Sequence, residues 1–312
     1  MKLYKYMPGK RANDFFNNPI LRLANPNGLN DPFEFSITQE LSRDIENMHK
    51  EQGTREEGFR DYIENFMSFG VISLSETYDN LLMWSHYADE HRGAVFEFII
   101  EEGNPGALFL CTNSTPISDS KYFGKVDYRK FRRYQDVISS GMIPEIRRHY
   151  IFTKSDEWMY EKEQRFALHY SFADIVKVNR KECENAFHSQ AQNYREFESG
   201  SGVEVDGEDL WIDIKNSKIS AEILKMMWIM TIHMNSFFFK IIDFERVTKI
   251  IIGCRNDNES IDQAIKNTKN PGAAGKFYCE GEFIDVLKAR QSEERFELDF
   301  EEYRGNFLSM FT

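Results

Sequence analysis

Glu161 and Glu163 stand two residues apart in the run Lys154-Ser-Asp-Glu-Trp-Met-Tyr-Glu-Lys-Glu-Gln-Arg165, just before the apolar segment 166–170. In an extended backbone, side chains at i and i+2 leave the same face. Two carboxylates would then enter one site, with Lys154, Trp158 and Arg165 close in sequence. Like charges held together oppose each other's ionisation, so the pair requires a cation, a sugar hydroxyl or a proton to transfer. The ordinary alternative is a solvated charged turn, because charged side chains are mostly exposed. The neighbouring Trp158, Tyr160 and Phe166 argue against full solvation.

A second cluster is Met83-Trp-Ser-His-Tyr-Ala88, followed by Glu90, His91 and Gly93. On a helix, Trp84, Tyr87 and Ala88 share a face. Such a stripe is either core, with His86 satisfied by a hydrogen bond, or a grip for a planar ring. His86 and His91 are five apart, poor spacing for a joint metal site. A nuclease using Asp31, Glu34, Glu161 and Glu163 as magnesium ligands is conceivable, since hard cations take carboxylates, but no spacing identifies it. There is no Walker sequence, no Gly-x-Gly-x-x-Gly and no Gly-x-Ser-x-Gly elbow. Ordinary nucleotide hydrolysis, dehydrogenase and α/β-hydrolase chemistry lose support accordingly.

These residues need a scaffold, and 312 residues at 41% hydrophobic, with 27 Phe, can bury a large aromatic core. The net charge of −12 argues against generic DNA binding, which needs a cationic footprint. The basic runs Tyr128-Arg-Lys-Phe-Arg-Arg-Tyr134 and Arg147-Arg-His149 read as solvated helix faces or a small basic groove. Four separated cysteines without a Cys-x-x-Cys pair suit a reducing cytoplasm. No cationic-plus-apolar leader opens the sequence, and the longest apolar stretch, 223–239, contains Lys225, His233 and Asn235. It reads as a buried helix, with no membrane partner expected.

Patterning predicts strands over 3–7, 69–75, 94–100, 125–128, 166–170, 247–254 and 283–287, and helices over 13–23, 81–91, 137–153 and 260–268. One or two further helices are expected within 39–66. Asp79-Asn80 is placed to cap the helix at 81, and Gly93 to end it. Asn30-Asp-Pro-Phe-Glu34 reads as a rigid Asx turn supporting the site, with Asn30 or Asp31 bonding backbone amides. Residues 198–209 read as a surface loop or hairpin. Strands and helices mix irregularly, so the expected class is α+β, a mixed or antiparallel sheet core with flanking helices. The expected organisation is one domain over 1–290 with a variable insertion at about 174–245. An acidic, aromatic tail over 291–312 would dock as a helix.

In order, Tyr4-Lys5-Tyr6, Asn30-Asp-Pro-Phe-Glu34, Val71-Ile-Ser-Leu-Ser-Glu76, Met83-Trp-Ser-His-Tyr-Ala88 with Gly93, Trp158-x-x-Glu-x-Glu-x-Arg165 and Ile251-Ile-Gly253 resemble a prokaryotic family known as domain of unknown function 2971. The resemblance spans roughly residues 3–255 and carries no reaction. A second pattern, Ser-x-Ser at a strand end followed by Glu-x-Glu opening a later strand, is similar to the ADP-ribosyltransferase superfamily. That similarity implies an ADP-ribosyltransferase-like fold consuming NAD as substrate without a metal, in a toxin or phage-defence setting. Ser73 and Ser75 would support the nicotinamide pocket, Glu163 would drive transfer and Glu161 would orient an acceptor macromolecule. Lys5 and Tyr6 stand where the superfamily has an Arg or His on its first strand. Lys5, Lys154 and Arg165 would meet the diphosphate, and Trp84, His86 and Tyr87 would grip a ring. The competing expectations are a non-enzymatic nucleotide- or protein-binding module and the nuclease.

Overall fold

Short runs of β-branched and aromatic residues dominate the chain, and in the computed structural model they assemble into two main sheets. The structure describes residues 1–51, 53, 67–110, 123–134, 143–186, 200–217, 219–266, 278–279 and 282–303. In chain order the strands are β1 (Lys2–Met7), β2 (Ile20–Leu23), β3 (Phe69–Ser75), β4 (Ala94–Ile99), β5 (Phe123–Lys125), β6 (Asp127–Arg129), β7 (Thr153–Ser155) and β8 (Glu163–His169). They continue as β9 (Ile175–Asn179), β10 (Val203–Asp206), β11 (Asp209–Asp213), β12 (Phe237–Ile241), β13 (Val247–Ile252), β14 (Tyr278–Cys279), β15 (Glu282–Phe283), β16 (Asp285–Gln291) and β17 (Leu298–Glu302).

The larger sheet runs β17-β16-β13-β4-β1-β3-β8-β5 and the smaller β10-β11-β9-β12-β2. Only the β13–β16 pair of the larger sheet is parallel, so the core sheet is mixed and the molecule is α+β. Side chains alternate across β3 and β8 as a strand period requires. Ile72, Leu74, Phe166 and Leu168 enter the main core, whereas Val71 and Ala167 enter a second cluster on the other face. The register pairs Val71 with Ala167, Ser73 with Arg165 and Ser75 with Glu163. That second face therefore turns from apolar to polar along its length. β1 pairs with β4 along all six of its residues but with β3 only through Tyr4 and Ser75. Beyond that pair β1 and β3 part, and Lys5 reaches into the gap, its ammonium donating to the Ser73 carbonyl at 2.8 Å.

Several expected elements divide differently. The helix expected over 13–23 is a helix Gly9–Phe15 followed by β2, because Pro19 disfavours helical backbone at Asn18. The helix expected over 81–91 stops at Tyr87, since Asp89, Glu90 and His91 all have positive φ. The single helix expected over 223–239 is a helix Ala221–Ile229, a turn Thr231–Met234 and then β12. Left-handed Asn235 ends the helical run, and Phe237-Phe-Phe239 favours the extended state. The basic run 128–134 is not a helix face: it begins in β6 and continues as irregular chain. Residues 203–213 form the β10–β11 hairpin. The expected docked tail helix is β17, an antiparallel edge strand on β16, with 304–312 outside the described residues. Parts of the helices expected over 39–66 and 137–153, at 54–66 and 137–142, also lie outside them. Residues 174–245 contribute four strands, of which β12 pairs with β2, and their apolar side chains join the main core.

Candidate functional site

Glu161 and Glu163 do not share one strand. Ser155 accepts the Glu157 amide at the start of a 3-10 turn, Asp156–Glu161, and Lys162 then adopts a left-handed conformation (φ 45°) before β8 begins. Glu163 and Arg165 are the residues two apart on one strand face. Glu161 joins them because the left-handed residue redirects the chain. The solvated-turn alternative is overturned, for Glu161 and Glu163 are only 5% and 3% exposed.

Burial at that level requires compensation, and the chain itself supplies it. Arg165 holds Glu163 in a fork, Nε to Oε1 at 2.5 Å and Nη2 to Oε2 at 2.9 Å, and also pairs with Glu34. Lys154 sits among three carboxylates, 2.6 Å from Glu161, 3.2 Å from Glu34 and 3.6 Å from Glu163. Its ammonium also lies 4.7 Å from the centre of the Trp158 ring. The Tyr87 hydroxyl donates to Glu161 Oε1 at 2.5 Å, and the Ser75 hydroxyl donates to the Glu161 carbonyl at 2.7 Å. The Tyr128 hydroxyl accepts the Glu163 amide at 2.8 Å.

The two carboxylates are tuned in opposite directions. Burial alone would raise Glu163, but the Arg165 guanidinium, the Lys154 ammonium and a hydrogen bond from Ser73 together outweigh it and bring the carboxyl down to about 2. Burial raises Glu161, the Lys154 ammonium opposes that, and the Glu163 charge adds to the rise. Burial also lowers the Lys5 ammonium to about 8, against the pull of Glu163 and Glu161. Lys154 moves the other way: its three carboxylates outweigh burial and raise it. Burial and the Glu161 charge push the Tyr87 hydroxyl up, so it remains a donor at neutral pH.

These groups wall a cavity of about 300 Å³ between β1, β3, β8 and the 25–34 loop. Of the residues expected at a site, Lys5, Tyr6, Ser73, Ser75, Tyr87, Lys154, Glu161, Glu163 and Arg165 line it. Trp84 and His86 do not. Trp84 is fully buried, stacked on His91, edge-on to Tyr6, and donates to the Tyr78 carbonyl. His86 is exposed beside Tyr160. Helical spacing placed them one residue either side of Ser85, so the face that buries Trp84 turns His86 outward. Asp31 accepts the Phe33 amide at 2.9 Å, the expected Asx turn, and that turn delivers Glu34 to the cluster. In the nuclease arrangement Asp31, Glu34, Glu161 and Glu163 would hold a metal between them; here the Lys154 ammonium and Arg165 guanidinium stand among Glu34, Glu161 and Glu163. Among the described residues no three His, Cys, Asp or Glu side chains are grouped to hold a metal ion.

Sequence reasoning overlooked Arg22, and it placed Glu34 only in the nuclease. Glu34 and Arg165 lie 131 positions apart, beyond the reach of any local spacing rule. The only local signal was the Asx-Pro turn itself. Tyr128 was seen merely as part of a basic run. No helix among the described residues is long and apolar enough to cross a membrane. No curated protein and no solved structure matches the chain. Residues 83–166, which carry Tyr87, Lys154, Glu161, Glu163 and Arg165, match the family model described as protein of unknown function DUF2971.

Proposed function

We propose that the chain cleaves the nicotinamide–ribose bond of NAD, with an ADP-ribosyltransferase-like arrangement around Glu163. One observation carries this reading: two buried carboxylates wall one cavity in different settings, Glu163 held ionised in the Arg165 fork and Glu161, raised by burial, meeting the Lys154 ammonium and the Tyr87 hydroxyl. Pairs whose environments separate their pKa values divide the labour between charge stabilisation and proton transfer. The supporting geometry is that β1, β3 and β8 are neighbours and bring Lys5, the Ser73 and Ser75 pair, and Glu163 to one cavity. When the C1′–N bond breaks, its electron pair leaves with neutral nicotinamide and positive charge grows on the ribose. The fixed Glu163 carboxylate stabilises that charge. A hydroxyl of an acceptor oriented by Glu161 then bonds to C1′ and passes its proton to that carboxylate, whereas in bare hydrolysis water bonds to C1′ and loses its proton to solvent. A cavity of about 300 Å³ is at the small end of ligand pockets, so it takes the nicotinamide ribose half.

The test is incubation with NAD and measurement of free nicotinamide, with and without chelator. Release in both conditions is expected. A single observation favours a second reading: both Glu163 oxygens are already engaged by Arg165, as in a binding module with a structural ion cluster. Saturable NAD binding with no release would select that module and overturn the enzymatic reading.

A further inference from the structure

We infer that Arg22 and Lys5 form an anion subsite at the β1–β2 side of the same cavity, built for the diphosphate of a nucleotide. The choice of a diphosphate rests on the NAD reading, whereas the anion site rests on charge alone. The charged lining comprises four cations, Lys5, Arg22, Lys154 and Arg165, against three carboxylates, Glu34, Glu161 and Glu163. Lys154 and Arg165 are consumed by those carboxylates. Among the described residues, Lys5 and Arg22 have no carboxylate within ion-pair distance. Lys5 makes one hydrogen bond, to the Ser73 carbonyl, leaving two ammonium hydrogens to donate.

Arg22 stands at the solvent-facing rim on β2, its guanidinium 4.7 Å from the centre of the Phe237 ring. An aromatic face holds a guanidinium in place without neutralising it. Gly28 leaves the room: a Cβ there would lie 2.9 Å from Arg22 Nη2. Burial lowers the Lys5 ammonium, and Arg22 and Arg11 lower it further while Glu163 and Glu161 oppose them. A bound anion would relieve that cost. The contrast with the whole chain, at net charge −12, gives selectivity: a small anion reaches a locally positive cavity, while a long polyanion meets an acidic surface. A planar guanidinium fork suits phosphate oxygens bidentately, and an ammonium adds a point charge. This subsite replaces Lys154 and Arg165 as the diphosphate partners.

The experiment is calorimetric titration of the full chain with inorganic pyrophosphate at pH 7 in chelator. Wild type should bind, Arg22→Gln should lose roughly 10- to 100-fold in affinity, and Arg22→Lys should retain part of it. Gly28→Ala keeps every charge but crowds the guanidinium, so it should also weaken binding, and it serves if Arg22→Gln folds poorly. The exposed Lys181→Gln should bind as wild type does. ADP-ribose, whose diphosphate carries the ribose that the cavity takes, should bind more tightly than pyrophosphate, and equal affinities would overturn the assignment to a nucleotide. Absence of pyrophosphate binding at millimolar concentration, or wild-type affinity in both Arg22→Gln and Gly28→Ala, would overturn the subsite. Pyrophosphate binding without nicotinamide release from NAD would leave the subsite standing and remove the NAD reading alone.

Discussion

Glu163 is where the chemistry and the acid stability of the molecule meet. Its folded value, near 2 against an ordinary 4.5, means that the native state holds the ionised form. The contribution is fully present above about pH 4.5 and is lost as pH falls toward 2. A shift of that size corresponds to about 3 kcal/mol. Urea midpoints should therefore drop steeply between pH 4.5 and 2, and Glu163→Gln should flatten that limb while lowering neutral stability, since Arg165 loses a buried partner. Glu161 has the opposite sign. Its raised value favours the protonated form in the fold, so its contribution is present at low pH and lost as pH rises through that value. In kinetics, Glu163→Gln should reduce turnover roughly a hundredfold to a thousandfold with little change in NAD affinity. Glu161→Gln should spare much of the bare hydrolysis but impair transfer to an acceptor. Nicotinamide release that is equal in wild type and Glu163→Gln would sink the mechanism.

The short helix Leu81–Tyr87 is the element that sets Tyr87 on Glu161. Asn80 caps it, its side-chain oxygen accepting the Leu82 and Met83 amides at 2.9 and 3.2 Å. Asn80→Ala should cost about 0.5–2 kcal/mol, read from denaturation midpoints, and should loosen the Tyr87 contact. The turn that follows is equally constrained. A Cβ on Gly93 would lie 2.0 Å from the Met7 carbonyl oxygen, and one on Gly253 would lie 2.1 Å from that of His91. These contacts are backbone to side-chain carbon, so neither neighbour can swing away. Gly93→Ala should destabilise by at least about 1–3 kcal/mol, measured the same way; an unchanged midpoint would mean that the β1–β4 approach is looser than described. The cap was legible in the sequence, whereas the stop was not: the helix ends at Tyr87, and Gly93, expected to end it, instead admits the close approach of the Met7 carbonyl. Three successive non-glycine residues with positive φ at 89–91 have no side-chain signature, because tertiary contacts hold them there.

Across the whole molecule, Trp228 joins the two sheets. It stacks on Tyr170, meets Phe238 edge-on, and donates to the Met67 carbonyl at 2.8 Å. Gly70 on β3 makes room for it, since a Cβ there would lie 2.6 Å from the indole. Trp228→Ala should cost about 3–5 kcal/mol, with both sheets losing stability in one cooperative transition. Loss of structure confined to β9–β12 would show that the smaller sheet is an independent unit. The same core continuity explains why residues 174–245 support the site although none of the described ones lines the cavity: β12 pairs with β2 and positions Arg22 over Phe237.

The sequence by itself determined the α+β class, most strand positions, the Asx turn at Asp31 and the concentration of chemistry at 154–165, because these depend on local pattern and turn stereochemistry. It also showed Glu161 and Glu163 to be a pair needing compensation. Only the tertiary structure decided what compensates them. Lys154 was close enough in sequence to be suspected, but Glu34, Ser73 and Tyr87 arrive from separate elements, and Arg165 turns out to serve the carboxylates rather than a ligand. The separation of Trp84 into the core and His86 to the surface likewise required the packed helix. Long-range ion pairing and strand order depend on how apolar faces stack, and spacing along a single chain carries no record of that.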